Sequence, residues 1–272
     1  MLQEADFAFV AREMKARSGA VLSRETNAVA ETRLMPLSRR EGFSSVAEMI
    51  MAAKQRSDGA LWGAIADALI QTETRFYRDR ETFRRLRHEI LPDLFMRRGG
   101  LGVRIWCAGC GSGQEPYSIA MMIDEMRGEG LGQAQVFATD ISERLLDRAR
   151  TGLYTQFEVQ RGLPIRKLIA HFEKAADLWR ISDRMRASVQ FEQHNLLVAP
   201  KLAGAFDLVL CCNVMNSFEH ATKLGTIGRL TDTMAPDGVL ILGHGETLPD
   251  GVDGLSGEGG VFTRTPTRRA AA

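Results

Sequence analysis

The sequence predicts a doubly wound α/β domain, a parallel sheet covered by helices on both faces, preceded by a small helical domain. Three observations carry that prediction. Residues 4–70 place apolar side chains at three- and four-residue steps, with hardly any strand pattern before residue 102. From Val103 onward, short apolar runs alternate with helical patterns at the spacing of strand–helix–strand units. A glycine-rich turn, Gly109-Cys110-Gly111-Ser112-Gly113, falls at the first strand-to-helix junction.

Taken in order, Phe7, Val10 and Met14, then Val46, Met49 and Ile50, then Ile65 and Leu69 mark the core faces of a helical domain over residues 1–70. Residues 71–101 read as a linker and connecting helix. Their first part is polar and Arg-rich, and the helix that follows buries Phe83, Leu86, Ile90 and Leu94 and is expected to break near Pro92. The large domain occupies 102–272. Strands are expected over 103–107, 134–139, 187–191, 206–211 and 239–242, with helices over 117–126, 143–150 and 221–234. Residues 152–186 interrupt this alternation. A helical stretch over 164–172 and the alternating run Leu178-Trp179-Arg180-Ile181, an antiparallel strand, indicate an inserted subdomain. A glycine-rich loop over 251–260 is expected before a last strand over 261–263.

Composition excludes several classes of function. Thirty-five Lys and Arg against 34 Asp and Glu leave a net charge of +1, without the basic excess of a general nucleic-acid binder. A hydrophobic fraction of 44% with 25% charged residues is that of a soluble globular protein, not a disordered or fibrous one. No apolar run reaches the roughly 18 residues of a membrane span, and with Glu4, Asp6, Arg12, Glu13, Lys15 and Arg17 in the first twenty residues no secretory signal is expected there. A cytoplasmic location is expected. The four cysteines form two pairs, Cys107 with Cys110 and Cys211 with Cys212, and are expected to be reduced. Adjacent strand residues such as Cys211 and Cys212 point to opposite faces, which opposes convergence on a zinc ion, so buried thiols and no metal are expected.

The glycine turn lets backbone approach a ligand, and the helix that starts near Pro116 presents unpaired amides there. Glu115 stands at its mouth. A carboxylate there repels a pyrophosphate but attracts the ammonium of an amino acid, which disfavours a dinucleotide. Asp140 ends the second strand, where an acid can accept hydrogen bonds from both ribose hydroxyls; the alternative is an N-cap for the helix starting near Ser142. A ligand with a ribose, a cationic amino group and no phosphate fits S-adenosylmethionine.

The segments TETRFYRD (72–79), GSGQEPYSIA (111–120), FATDIS (137–142), HNLL (194–197), CNVMNSF (212–218) and GHGET (243–247) resemble, in this order, the chemotaxis receptor methyltransferases of the CheR family. The resemblance covers nearly the whole chain. It implies a helical N-terminal domain, a Rossmann-like S-adenosylmethionine-dependent methyltransferase domain and a small β-subdomain inserted after the second strand and helix. It also implies methyl transfer to glutamate side chains on the cytoplasmic domain of chemoreceptors, with S-adenosylhomocysteine as product. The cofactor site it implies comprises Thr72, Thr74, Arg78, Gly109, Gly111, Glu115, Asp140, Asn195, Leu196, Cys212 and Asn213. Within it Thr72, Thr74 and Arg78 face the cofactor or the reacting centre, Glu115 holds the methionine part and Asp140 the ribose. Asn195 and Leu196 line the adenine region, and Asn213 the floor.

Methyl transfer to a glutamate, ionised near neutral pH, requires alignment and desolvation and no general base. Arg78 is the candidate catalytic residue, because a guanidinium can clamp a carboxylate in a fixed plane; the alternative is an ion pair with Asp79 or Glu81. His194 and His244 read as strand-end structural residues. Cys212 stands where the family usually has Arg, and Ser217 where it has Tyr. Those two departures motivate a second reading, a relative that binds the cofactor and regulates a signalling partner without catalysis. In some family members a glycine-containing loop of the insert grips a peptide at the receptor C-terminus. Residues 173–179 hold no glycine, so no such tether is expected. Docking would then rest on Arg75, Arg78, Arg80, Arg84, Arg85 and Arg87, the alternative being a solvated helix face.

Overall fold

The computed structural model describes residues 2–55, 59–70, 73–201 and 204–265. The chain divides into two compact units, Met1–Thr72 with Met215–Lys223, and Glu73–Val214 with Leu224–Ala272.

The first unit is helical, with helices Glu4–Ser18, Asn27–Arg40, Val46–Gln55 and Gly59–Leu69. The expected apolar stripes are its core: Val10, Met14, Leu34, Met49, Ile50 and Ile65 are essentially inaccessible. Trp62 buries its ring among them and satisfies its indole N–H on the Ala53 carbonyl at 3.2 Å. The segment after the fourth parallel strand belongs here too. Ala20 pairs with Phe218 in an isolated antiparallel bridge, and the Val21 N–H donates to the Ser217 carbonyl at 2.9 Å.

The second unit carries a seven-stranded sheet of β1 (Val103–Ala108), β2 (Ala134–Asp140), β6 (Val189–Gln193), β7 (Phe206–Cys211), β8 (Met234–Leu242), β9 (Leu255–Glu258) and β10 (Val261–Arg264), in the order β6-β2-β1-β7-β8-β10-β9. The pairs from β6 to β8 are parallel, and β8-β10 and β10-β9 are antiparallel. Strand order reverses between β1 and β7, so ligand-binding loops are expected at the C-terminal ends of those two strands. β1 and β7 are buried almost throughout, which is why they read as continuous apolar runs. The insert is a three-stranded antiparallel sheet of β3 (Leu153–Thr155), β5 (Leu178–Ile181) and β4 (Phe172–Ala175). Tyr154 and Phe172 carry it into the main core through edge contacts with Phe76.

Two sequence expectations are corrected. The helix over Arg80–Arg98 does not break at Pro92. It widens into a π-turn at Leu86–Ile90, closed by the Leu91 N–H on the Leu86 carbonyl, which absorbs the proline's missing donor and bulk. The expected loop over 251–260 contains strand β9, whose sequence Leu-Ser-Gly-Glu has no apolar alternation to reveal it. Its hairpin closes through Gly259 and Gly260, both at positive φ, as a two-residue turn demands. Residues 73–101, expected as linker and connecting helix, contribute Phe76, Phe83, Leu86, Leu91 and Leu94 to the core of this unit. At the opposite end of the sheet from the glycine turn, Arg98 bonds Asp207 at 2.5 Å and Asp237 at 2.6 Å, and holds the Asp237 carboxyl down at about 2.

Candidate active site

All described candidate residues lie in the second unit; Gly109, Gly111, Asp140, Asn195, Leu196, Cys212 and Asn213 sit at or just after the C-terminal ends of parallel strands, Glu115 in the helix that follows the glycine turn, and Thr74 and Arg78 in the segment before the helix that starts at Arg80. The turn after β1 folds back on β2, with the Gly109 and Cys110 amides both donating to the Thr139 carbonyl, at 2.8 and 2.9 Å. Gly109 has φ 82, and a Cβ there would fall 2.3 Å from a Val214 methyl, so only glycine lets the turn lie against the end of β7. The following helix, Gln114–Gly128, begins two residues before Pro116, whose missing N–H costs nothing in the first turn.

Asp140 is buried and organises this turn. Its Oδ2 accepts the Gly111 N–H at 2.8 Å and its Oδ1 the Ser142 N–H at 3.0 Å. The N-cap alternative is corrected. Ser142 caps the helix Glu143–Thr151 through its own hydroxyl, at 3.2 Å from the Leu145 nitrogen, because it has the extended backbone a cap needs.

Glu115 is only partly exposed, and burial pushes its carboxyl up to about 7. The Cys212 thiol hydrogen bond and the nearby Arg78 guanidinium pull it down, and Glu246 pushes it up. Asp140 holds the Gly111 amide within the turn and Glu115 stands in the first turn of the helix that follows it, so the two carboxylates flank one short turn. Arg78 donates to the Glu73 carbonyl. Its suggested partners are engaged elsewhere: Asp79 accepts from the Glu81 amide and the Thr82 hydroxyl, and Glu81 pairs with Arg84. Thr74 packs toward Gly111, whose Cβ would lie 3.2 Å from its methyl. Thr72 lies outside the described residues.

Asn195 follows β6, its carboxamide oxygen accepting the Leu197 N–H at 3.0 Å, and Leu196 is buried. The His194 N–H donates to the Asp140 carbonyl at 3.0 Å, tying β6 to β2, as a strand-end role requires. His244 differs from that expectation: its side chain is 88% exposed, in the glycine-flanked turn after β8. The four cysteines are free, Cys107, Cys110 and Cys211 buried and Cys212 partly so. Among the described residues no group of three or more His, Cys, Asp or Glu could hold a metal ion. Three of the six arginines of the basic stretch are paired with acids of the chain, Arg84 with Glu81 and Glu89, Arg85 with Glu89 and Arg87 with Glu129.

Two further residues carry the site. Tyr77 sits at φ 46, unusual for a bulky side chain, and is latched twice to Ser118, its N–H on the hydroxyl and its own hydroxyl on the carbonyl, both at 3.1 Å. This fixes the chain next to Arg78 against the helix that carries Glu115. Glu246 spans the ends of β7 and β8, with Oε2 accepting the Asn213 and Gly243 amides at 2.7 and 2.6 Å. The signal for Glu246 was the one that marked Glu115, an acid in a glycine turn at a strand end.

The arrangement is a turn of backbone amides at a helix start between two acids, one of them costly to ionise until a cation arrives. It fits a nucleoside bearing an ammonium and no phosphate. Residues 72–257 match the family model for the CheR methyltransferase, S-adenosyl-L-methionine-binding domain, and the chain belongs to that family. It is an S-adenosyl-L-methionine-dependent methyltransferase. It is 35% identical over 249 residues to chemotaxis protein methyltransferase 1 of Pseudomonas aeruginosa, covering 90% of each chain. To chemotaxis protein methyltransferase Cher2 of Pseudomonas putida it is 34% identical, over 85% of this chain and 86% of that one. To the chemotaxis protein methyltransferase of Escherichia coli it is 30% identical, over 91% of this chain and 86% of that one. No helix among the described residues is long and apolar enough to cross a membrane.

Proposed function

We propose that the chain methylates glutamate side chains on the cytoplasmic domain of chemoreceptors, with Glu115, Asp140 and Arg78 as the principal side chains of the site. The observation that carries this reading is a glycine turn with Asp140 holding its Gly111 amide and, in the first turn of the helix that follows, the hard-to-ionise Glu115 carboxyl, close enough to Arg78 to feel its charge. When bound, S-adenosyl-L-methionine supplies an electrophilic methyl on a sulfonium, whose passage to a carboxylate oxygen leaves a neutral thioether. Glu115 pairs with the ammonium of its methionine part, and Asp140, held at the turn by the Gly111 and Ser142 amides, accepts from the ribose hydroxyls. Thr74, Gly109, Gly111, Asn195, Leu196, Cys212 and Asn213 complete the walls.

Arg78 receives the substrate glutamate. Its head group is held at one nitrogen by the Glu73 carbonyl, leaving the rest of the fork to orient a carboxylate whose pKa of about 4.3 keeps it ionised without a base. Arg78→Ala is expected to lower kcat/KM for the receptor about 10- to 100-fold, the worth of a charge-assisted hydrogen bond. Arg78→Lys recovers little, because a point charge cannot fork. Steady-state methylation kinetics check both.

The reaction is tested with methyl-labelled cofactor and receptor cytoplasmic fragments. Base-labile label on glutamates is the expected result. Cofactor binding without incorporation overturns the reading. The same assay tests tethering. The β4–β5 connection is only Ala176 and Asp177, without glycine, so fragments with and without a C-terminal tail are expected to be methylated at equal rates, through direct docking and the exposed Arg75 and Arg80.

A further inference from the structure

Glu246, like Asp140, holds two backbone amides, but it holds both with one oxygen. Its Oε2 takes one N–H from Asn213, just after β7, and one from Gly243, just after β8. A single oxygen therefore joins the chain ends that leave two neighbouring parallel strands, at amides that lie past the last ladder partners. Asn213 lies in the left-handed region, at φ 61, a conformation asparagine adopts more readily than other side chains. Gly243 makes the arrangement possible. A Cβ there would lie 2.6 Å from the Asn213 Nδ2 and 2.7 Å from the Glu246 Oε2, so carboxylate and carboxamide both occupy the space beside its bare backbone.

We infer that Glu246 is a positioning residue. By clasping the Asn213 and Gly243 amides it fixes the turn that presents Asn213 to the cofactor, and it acts through that backbone without touching the reacting atoms. The inference rests on the proposed place of Asn213 in the cofactor site. It requires reach and an acceptor oxygen, not a charge. Gln keeps the acceptor at the same reach, whereas Asp keeps the charge and withdraws it by one methylene.

The test is calorimetric titration of S-adenosyl-L-methionine into wild type, Glu246→Gln and Glu246→Asp, with thermal midpoints to confirm that all three are folded. Two charge-assisted hydrogen bonds lost from the floor are expected to weaken cofactor binding by Glu246→Asp about 10-fold, while Glu246→Gln stays within about 3-fold of wild type. KM for the cofactor is expected to follow the dissociation constant across the three proteins. Wild-type affinity in Glu246→Asp overturns the inference, as does a Glu246→Gln that loses as much as Glu246→Asp. Binding is read without a receptor, so a failure of receptor methylation leaves this outcome unaffected.

Discussion

Glu115→Gln is expected to weaken S-adenosyl-L-methionine about 100-fold, the cost of breaking an enclosed ion pair, and at the same time to stabilise the cofactor-free protein above neutral pH. Both effects come from one property. The Glu115 carboxyl ionises near 4.5 when free and at about 7 in the fold, chiefly because burial disfavours its charge. Between those values the unfolded chain has released the proton that the folded chain still holds. Stability from this group is therefore highest below pH 4.5, falls as the pH rises, and reaches its full penalty above 7, on the order of 3 kcal/mol. The bound ammonium offsets that penalty and glutamine removes it. Below pH 7, binding must expel a proton from Glu115, so wild-type affinity is expected to rise nearly tenfold per pH unit and then level off. Titrations at pH 6, 7 and 8, in buffers of different ionisation enthalpy, check the slope and the released proton. Both vanish in Glu115→Gln.

Asp140→Asn is expected to do the opposite to stability. Asp140 has one oxygen on the Gly111 amide and the other on the Ser142 amide, in a buried position. An asparagine can present oxygen to only one of them and turns an N–H₂ donor on the other. Leaving a buried amide facing a donor costs about 1–3 kcal/mol, and the loosened turn and the lost ribose acceptor compound it. Thermal unfolding is expected to move down and cofactor binding to fall by at least about 100-fold. Two near-isosteric neutralisations of flanking acids thus shift stability in opposite directions, Glu115 because its charge is unwelcome and Asp140 because both its acceptors are in use.

The sheet was legible in the sequence where burial is complete. Val103–Ala108 and Phe206–Cys211 read as strands because no solvent face interrupts them. Leu255–Glu258 did not, being an edge strand with one buried side chain, and neither did the π-turn, which repairs a proline fault with no side-chain signature. Within the site, Glu115 and Asp140 announce themselves by standing alone at strand-end turns. Glu246 stood in a quoted motif without a role, since its function lies in two backbone amides 30 residues apart in sequence, Asn213 and Gly243. In the Arg-rich stretch, Arg84, Arg85 and Arg87 are paired with Glu89 and Glu129, partners that only the fold sets beside them, whereas Arg75 and Arg80 stay exposed.

Whether Glu115 and Asp140 grip opposite ends of one nucleoside is tested most directly by a ligand–variant cycle. S-adenosylhomocysteine and 5′-methylthioadenosine, which lacks the amino-acid part, are titrated into wild type, Glu115→Gln and Asp140→Asn. Glu115→Gln is expected to weaken only the ligand with an ammonium, by about 100-fold, while Asp140→Asn weakens both. Equal losses of the two ligands in Glu115→Gln, or full retention of 5′-methylthioadenosine in Asp140→Asn, would contradict it.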